Sequence, residues 1–198
     1  MKQPVKSALQ DLEIEHADHK MMMDGVLLLV LLLPTVAAAL ANAALLDTRR
    51  AKQLESTVKQ ASSSILIVDG ENVRGKSLFQ LSHTQLMARL ARWSARHKLA
   101  DRVVLLVDHG TQPSAFHLPQ LCGLSVVFSG PTLSADDVAA RDLEWLHSRG
   151  HDVLLVTADS GLAQRCRLAG RAATRSLSIV PPQALLASLA RHKPLPIS

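Results

Sequence analysis

Five short, largely apolar runs, separated by stretches with helical spacing, constrain this chain more than any other feature. The runs are Ile65–Val68, Val103–Val107, Ser125–Phe128, Val153–Thr157 and Ser176–Val180. Strands that are apolar throughout, rather than alternating, are buried on both faces, and the helices between them form the covering layers. The intervening stretches supply such helices. After Ser82, a residue suited to capping, Leu86, Leu90 and Trp93 recur on one face. Ser134 introduces a helix that Gly150 stops, another runs from Ser160 to about Leu168, and a last one runs from Pro182 to about His192. The expected fold is α/β, three-layered and Rossmann-like, with a parallel sheet of about five strands.

Composition narrows the partners. Hydrophobic residues make up 47% and aromatics only 3%, with no Tyr, so the core must be built from Leu, Val, Ile and Ala. Ring stacking on a single strand has few candidates: Phe79, Trp93, Phe116, Phe128 and Trp145. A formal charge of +5 suits a polyanionic partner without naming one. Most arginines (among them Arg89, Arg96, Arg141 and Arg165) fall on predicted helices, where a solvated face explains them. Cys122 and Cys166 lack zinc-ligand spacing and read as reduced, small core residues. Nine histidines are scattered, and His109 beside Asp108 is explained as well by a loop as by chemistry.

The chain reads as four segments: a polar extension (1–24), a hydrophobic segment (25–46), a helical or flexible linker (47–63) and a folded domain (64–198). Gly25–Leu46 carries no charge and is just long enough to span a bilayer. It has three competing readings: an N-terminal hydrophobic helix acting as signal anchor, a cleavable targeting peptide with small residues at Ala41–Ala43, or a buried helix. As an anchor, with Arg49, Arg50 and Lys52 after it, it would leave the domain on the cytoplasmic or stromal side. As a targeting peptide it would point to a plastid or mitochondrion. Met21, Met22 and Met23 offer later starts that would drop the acidic leader.

The strand ends carry residues capable of chemistry. Asp69 comes after the first run, Asp108 after the second and Asp159 after the fourth, while Asp136 and Asp137 open the helix after the third. In parallel sheets these carboxyl ends share one rim, where ligands bind. One aspartate after a strand is an ordinary turn or cap residue, but capping does not account for four strand ends doing the same. Carboxylates packed together repel unless a cation sits among them, and hard oxygen ligands suit Mg²⁺ or Mn²⁺. Asp69, Asp108, Asp136, Asp137 and Asp159 are therefore candidate metal ligands, for one or two ions that would activate water for phosphodiester hydrolysis. Neighbouring helix positions point about 100° apart, which favours Asp136 as ligand and leaves Asp137 as an alternate. Asn72 reads equally as a phosphate contact or a cap, Glu71 as exposed, and Thr157 and Ser160 as partners of Asp159 or as cap residues.

Four stretches together resemble a family: VDGENVRG (Val68–Gly75), VDHG (Val107–Gly110), FSGPTLSADD (Phe128–Asp137) and VTADSGLAQ (Val156–Gln164). In this order they are similar to the motifs of YacP-type NYN domains, a branch of the PIN-like nucleases, over about Ser64 to Ala190. The resemblance implies a PIN/NYN fold and a Mg²⁺- or Mn²⁺-dependent ribonuclease, endonucleolytic and acting in RNA decay or ribosome-linked cleavage. It implies Asp69, Asp136 and Asp159 as catalytic residues and Asp108 as a further acidic ligand, and it matches Asn72 to the family's asparagine; Asn72, Arg74 and Ser160 are the candidate substrate contacts. Two positions depart from it. Glu71 stands where the family's DGYN pattern has an aromatic, and Ala140 where many relatives carry a glutamate one turn after the aspartates, with Asp142 close by. The loop between the second and third runs is also short. Two alternatives stand beside the nuclease: a catalytically weakened RNA- or ribosome-binding module, and a membrane-tethered phosphohydrolase of small molecules, against which the lack of a phosphate-cradling Gly-rich loop speaks.

Overall fold

Buried strands and amphipathic helices assemble around one sheet. In the computed structural model, residues 37–38, 41–59, 63–108, 110–171 and 173–191 are described. The chain divides into units Met1–Leu46 and Asp47–Ser198. Most of the apolar segment 25–46 lies outside the described residues, as does His109. Among the described residues no helix is long and apolar enough to cross a membrane.

Residues 41–59 are helical (α1). Then come β1 (Ile65–Asp69), α2 (Gly70–Lys76), α3 (His83–His97), β2 (Val103–Val107), β3 (Ser114–Leu118), a 3-10 turn (Pro119–Leu121), β4 (Leu124–Phe128), α4 (Ala135–Ser148), β5 (Val153–Val156), α5 (Ser160–Ala169), β6 (Leu177–Val180) and α6 (Pro182–Ala190). The sheet has six strands in the order β3-β4-β2-β1-β5-β6. All neighbours are parallel except β3, which runs antiparallel to β4. The chain thus builds outward from β1 to one side, then returns to begin the other side with β5. The switch point lies between β1 and β5.

Side chains alternate across the sheet, and each set meets its own helical layer. Leu66, Val68, Leu105, Leu154 and Val156 pack with Leu86, Leu90 and Trp93 of α3 and Leu185 and Leu189 of α6. Ile65, Ile67, Leu106, Val153 and Leu155 pack with Val138 and Leu143 of α4 and Leu162 and Cys166 of α5. Each fully buried aliphatic side chain contributes about 2 kcal/mol.

Two elements were not expected from the sequence. Strand β3 lies between the second and third apolar runs, where the sequence suggests only a short loop. Its middle residues Ala115, Phe116 and His117 are exposed at the sheet edge, so no apolar run marks it. Helix α2 contains two glycines in seven residues and forms around a cap: the Asp69 carboxylate accepts from the backbone N–H of Asn72 at 3.0 Å. Glycine at position 70 is a packing requirement, because a Cβ there would lie 2.5 Å from the carbonyl oxygen of Leu106.

The stretch read as a linker is structured over 47–59. Its Leu54 and Val58 are buried in the α3–α6 layer. Trp93 Nε1 donates to Ser188 Oγ (2.7 Å), which donates to Glu55 Oε1 (2.6 Å), tying α3, α6 and α1 together.

Candidate active site

The switch point brings two of the aspartates together across the neighbouring ends of β1 and β5. Asp69 ends β1 and is buried, with 5% of its surface exposed. Its Oδ1 accepts the Asn72 N–H, and its Oδ2 accepts the hydroxyl of Thr157, at 3.0 Å, from the end of β5. That Thr157 oxygen in turn accepts the backbone N–H of Asp159 at 3.0 Å. Across the same gap, Asn72 Oδ1 accepts the N–H of Ala158 at 3.1 Å. Asp159 caps α5, its Oδ1 accepting from Leu162 N–H at 2.9 Å. The first and fourth motifs are therefore locked by side-chain bonds that fix the directions of both carboxylates.

Asp136 arrives from a third direction, at the start of α4, which packs beside α5. Burial raises the Asp69 carboxyl above the usual range, and the negative charge of Asp136 raises it further, against bonds from Asn72 and Thr157 that lower it. Asp136 is raised as well, first by burial; Arg165 opposes this, while Asp159 and Asp137 add to it. Asp136 thus lies close enough to both Asp69 and Asp159 for their charges to interact. The thiol of Cys166 is pushed up to about 11, first by burial and then by Asp136.

Other candidates are turned elsewhere. The Asp108 Oδ1 accepts from Ser129 Oγ (2.9 Å) and from Ala135 N–H (3.2 Å), bracing β4 and the start of α4. Asp137 completes a capping box with Ser134, whose hydroxyl and N–H hold its carboxyl below the usual range. Arg74 donates to the Leu81 carbonyl and to both oxygens of Glu71, and Glu71 lies 2.6 Å from His83 Nε2. Glu71, read as exposed, is half-buried in this cluster. Ser160 is exposed at the first turn of α5. Asp142 pairs with its neighbour Arg141, and Ala140 packs against the core.

Sequence reasoning missed Arg165. Its guanidinium reaches from α5 to α4, pairing with Asp136 through Nη2 and with Asp137 through Nη1 (3.0 Å). From sequence it was one cation on a solvated helix face; only the adjacency of α4 and α5 gives it a role. Ser129 was missed for the same reason.

Hard carboxylate donors with raised affinity for positive charge fit a divalent cation. Among the described residues, however, no three His, Cys, Asp or Glu side chains are gathered closely enough to hold one by themselves. An ion here would rest on one or two carboxylates, with water and substrate oxygens completing its shell, as suits Mg²⁺.

Neither a family model nor a curated protein sequence matches the chain. Among solved structures it is similar to Rae1 (YacP) from Bacillus subtilis, at 19% identity over 65% of this chain and 76% of that one, with a TM-score of 0.45. A likeness at this level assigns no residue a role. The fold itself is mixed α/β with a mostly parallel six-stranded sheet.

Proposed function

We propose that residues 47–198 form a metal-dependent ribonuclease that hydrolyses phosphodiester bonds within an RNA strand, using Mg²⁺ or Mn²⁺ at the β1–β5 switch point. The observation that carries this reading is the bonding through Thr157 that holds Asp69 and Asp159 together at the ends of β1 and β5, with Asp136 near enough to raise the Asp69 carboxyl. Motif order and the chain's net positive charge support RNA as the polyanion. One or two of Asp69, Asp136 and Asp159 would hold the ion, which when bound would acidify a water molecule and neutralise charge on the scissile phosphate. Thr157 and Asn72 keep Asp69 and the β5 end in register, so the carboxylates need no reorganisation as substrate arrives. Arg165 neutralises Asp136 meanwhile, and on release can face a substrate phosphate.

The test uses the full chain with labelled RNA, in Mn²⁺ and in EDTA. Cleavage should require the ion and fall by roughly a hundredfold or more in Asp69→Asn and in Asp159→Asn. Mn²⁺ should also raise the thermal midpoint of the wild type and leave that of both variants unmoved. Equal cleavage in EDTA would end the proposal. A second reading, an RNA- or ribosome-binding module with weakened turnover, is favoured by Ala140 and by the pairing of Arg165 with Asp136 and Asp137. RNA binding without cleavage, indifferent to EDTA, would select it.

A further inference from the structure

At the other end of the sheet, where β1 and β2 begin, the chain forms a concavity of about 430 Å³ lined by Lys59, Arg96, His97, Lys98 and Arg102. Its place is fixed by the backbone: the carbonyl of Arg102 accepts the N–H of Leu66, and Arg102 directly precedes β2. The aspartates lie at the opposite, carboxyl ends of the same strands. None of the five lining residues is acidic. Lys59, Arg96 and Lys98 are exposed, while Arg102 is half-buried and donates through Nη2 to the Lys98 carbonyl at 3.1 Å.

Cations gather at helix C-termini because the dipole ends there, but that supplies only about half a negative charge per helix. Lys59 ends the described part of α1, and Arg96, His97 and Lys98 end α3. Lys59, Arg96 and Lys98 alone bring three exposed positive charges to one concavity, more than such helix ends balance, so these residues favour an anion there. Lys98 adds a second argument. It caps α3 at φ 56, a left-handed conformation in which glycine is the usual residue. A lysine there keeps its charge at the mouth of the concavity against its backbone preference.

We propose that this concavity binds phosphate groups of the RNA backbone, as an anchoring site separate from the aspartate rim. The proposal rests on the reading of RNA as this protein's partner. Binding would be electrostatic and indifferent to base sequence, since among the described residues no ring lines the site except that of His97.

The test is fluorescence anisotropy of a labelled single-stranded RNA with the full chain in EDTA, across a salt series. The double variant Arg96→Gln, Lys98→Gly is suited to it, because glycine is at home in the left-handed cap and the fold should keep its melting temperature. Loss of two phosphate contacts should lower affinity roughly tenfold and reduce the slope of log affinity against log salt by about 1.4. Unchanged affinity and slope in the double variant would overturn the proposal, as would a wild-type chain that binds phosphatidylserine vesicles but no RNA. If the wild type binds RNA through these residues yet cleaves none with Mn²⁺, the nuclease reading fails and this site stands. Cleavage together with unchanged binding by the double variant gives the reverse.

Discussion

Asp69 concentrates the electrostatic tension of the candidate site in one side chain. Burial and the charge of Asp136 raise its carboxyl above the usual range, more than its bonds from Asn72 and Thr157 lower it. A carboxyl whose pKa is higher folded than unfolded adds stability below its unfolded value and loses it as the pH rises through its folded value. At neutral pH without divalent ions, ionised Asp69 therefore works against the fold. Asp69→Asn keeps an oxygen to accept the Asn72 N–H and removes the charge. Its melting temperature in EDTA at a pH of about 7.5 should exceed the wild type's by a few degrees, with the gap closing as the pH falls towards about 4. Calorimetry across that range decides it, and a variant that melts lower at neutral pH would show that the folded state does not destabilise the carboxylate. At this scale much was legible: an aspartate at a strand end is visible in the sequence, and its rim follows from parallel topology. The bonding state was not. Asp108 looks equivalent to Asp69 in the sequence and Asp137 reads as an alternate to Asp136, yet the first braces Ser129 and Ala135 and the second closes a capping box with Ser134. Those partners come from local geometry that residue type alone does not specify.

Among the elements, the strands that are apolar along their length declared themselves, and those whose stability comes from elsewhere did not. Buried β1, β2 and β5 need runs of Val, Leu and Ile, and β4 buries Leu124 and Val126, whereas edge strand β3 pairs through its backbone and leaves its middle side chains in solvent. Helix α2 has poor intrinsic propensity because of Gly70 and Gly75, and it exists because Asp69 caps it and its first turn lies against β2. That close approach is testable. A Cβ on Gly70 would sit 2.5 Å from Leu106 O and 3.2 Å from Leu105 Cδ1, and the backbone carbonyl cannot swing aside as a side chain could. Gly70→Ala should therefore destabilise the protein by about 1–3 kcal/mol, read as a lowered urea midpoint. It should also reduce RNA cleavage more than the stability loss explains, because α2 carries Asn72 and is capped by Asp69. Wild-type cleavage at a temperature where the variant is fully folded would show that the site tolerates a shifted α2.

The limits of the folded unit are set by packing, and they differ from what composition suggests. The polar stretch 47–63 has the character of a linker because most of the side chains over its described residues 47–59 do face solvent, and the three buried ones among these, Ala51, Leu54 and Val58, do not stand out. Those residues cover the sheet face shared with α3 and α6, and Glu55 ends the hydrogen-bond chain that begins at the Trp93 indole. Removing α1 would expose Leu185 and Leu189 and leave the Ser188 hydroxyl without its acceptor. Leu54→Ala in the full chain should thus cost about 2–5 kcal/mol, a core penalty and not a surface one. A fragment beginning at Ser64 should bind a hydrophobic dye and unfold without a cooperative transition, while one beginning at Asp47 should unfold cooperatively. Denaturant curves of the point variant and calorimetry of the two fragments measure this. A cooperative fragment from Ser64 with wild-type stability would return α1 to the role of a tether. If α1 is core, the concavity at Lys59 and the aspartate rim belong to one cooperative unit, and losing the helix should abolish cleavage and RNA anchoring together, although α1 supplies no candidate catalytic residue.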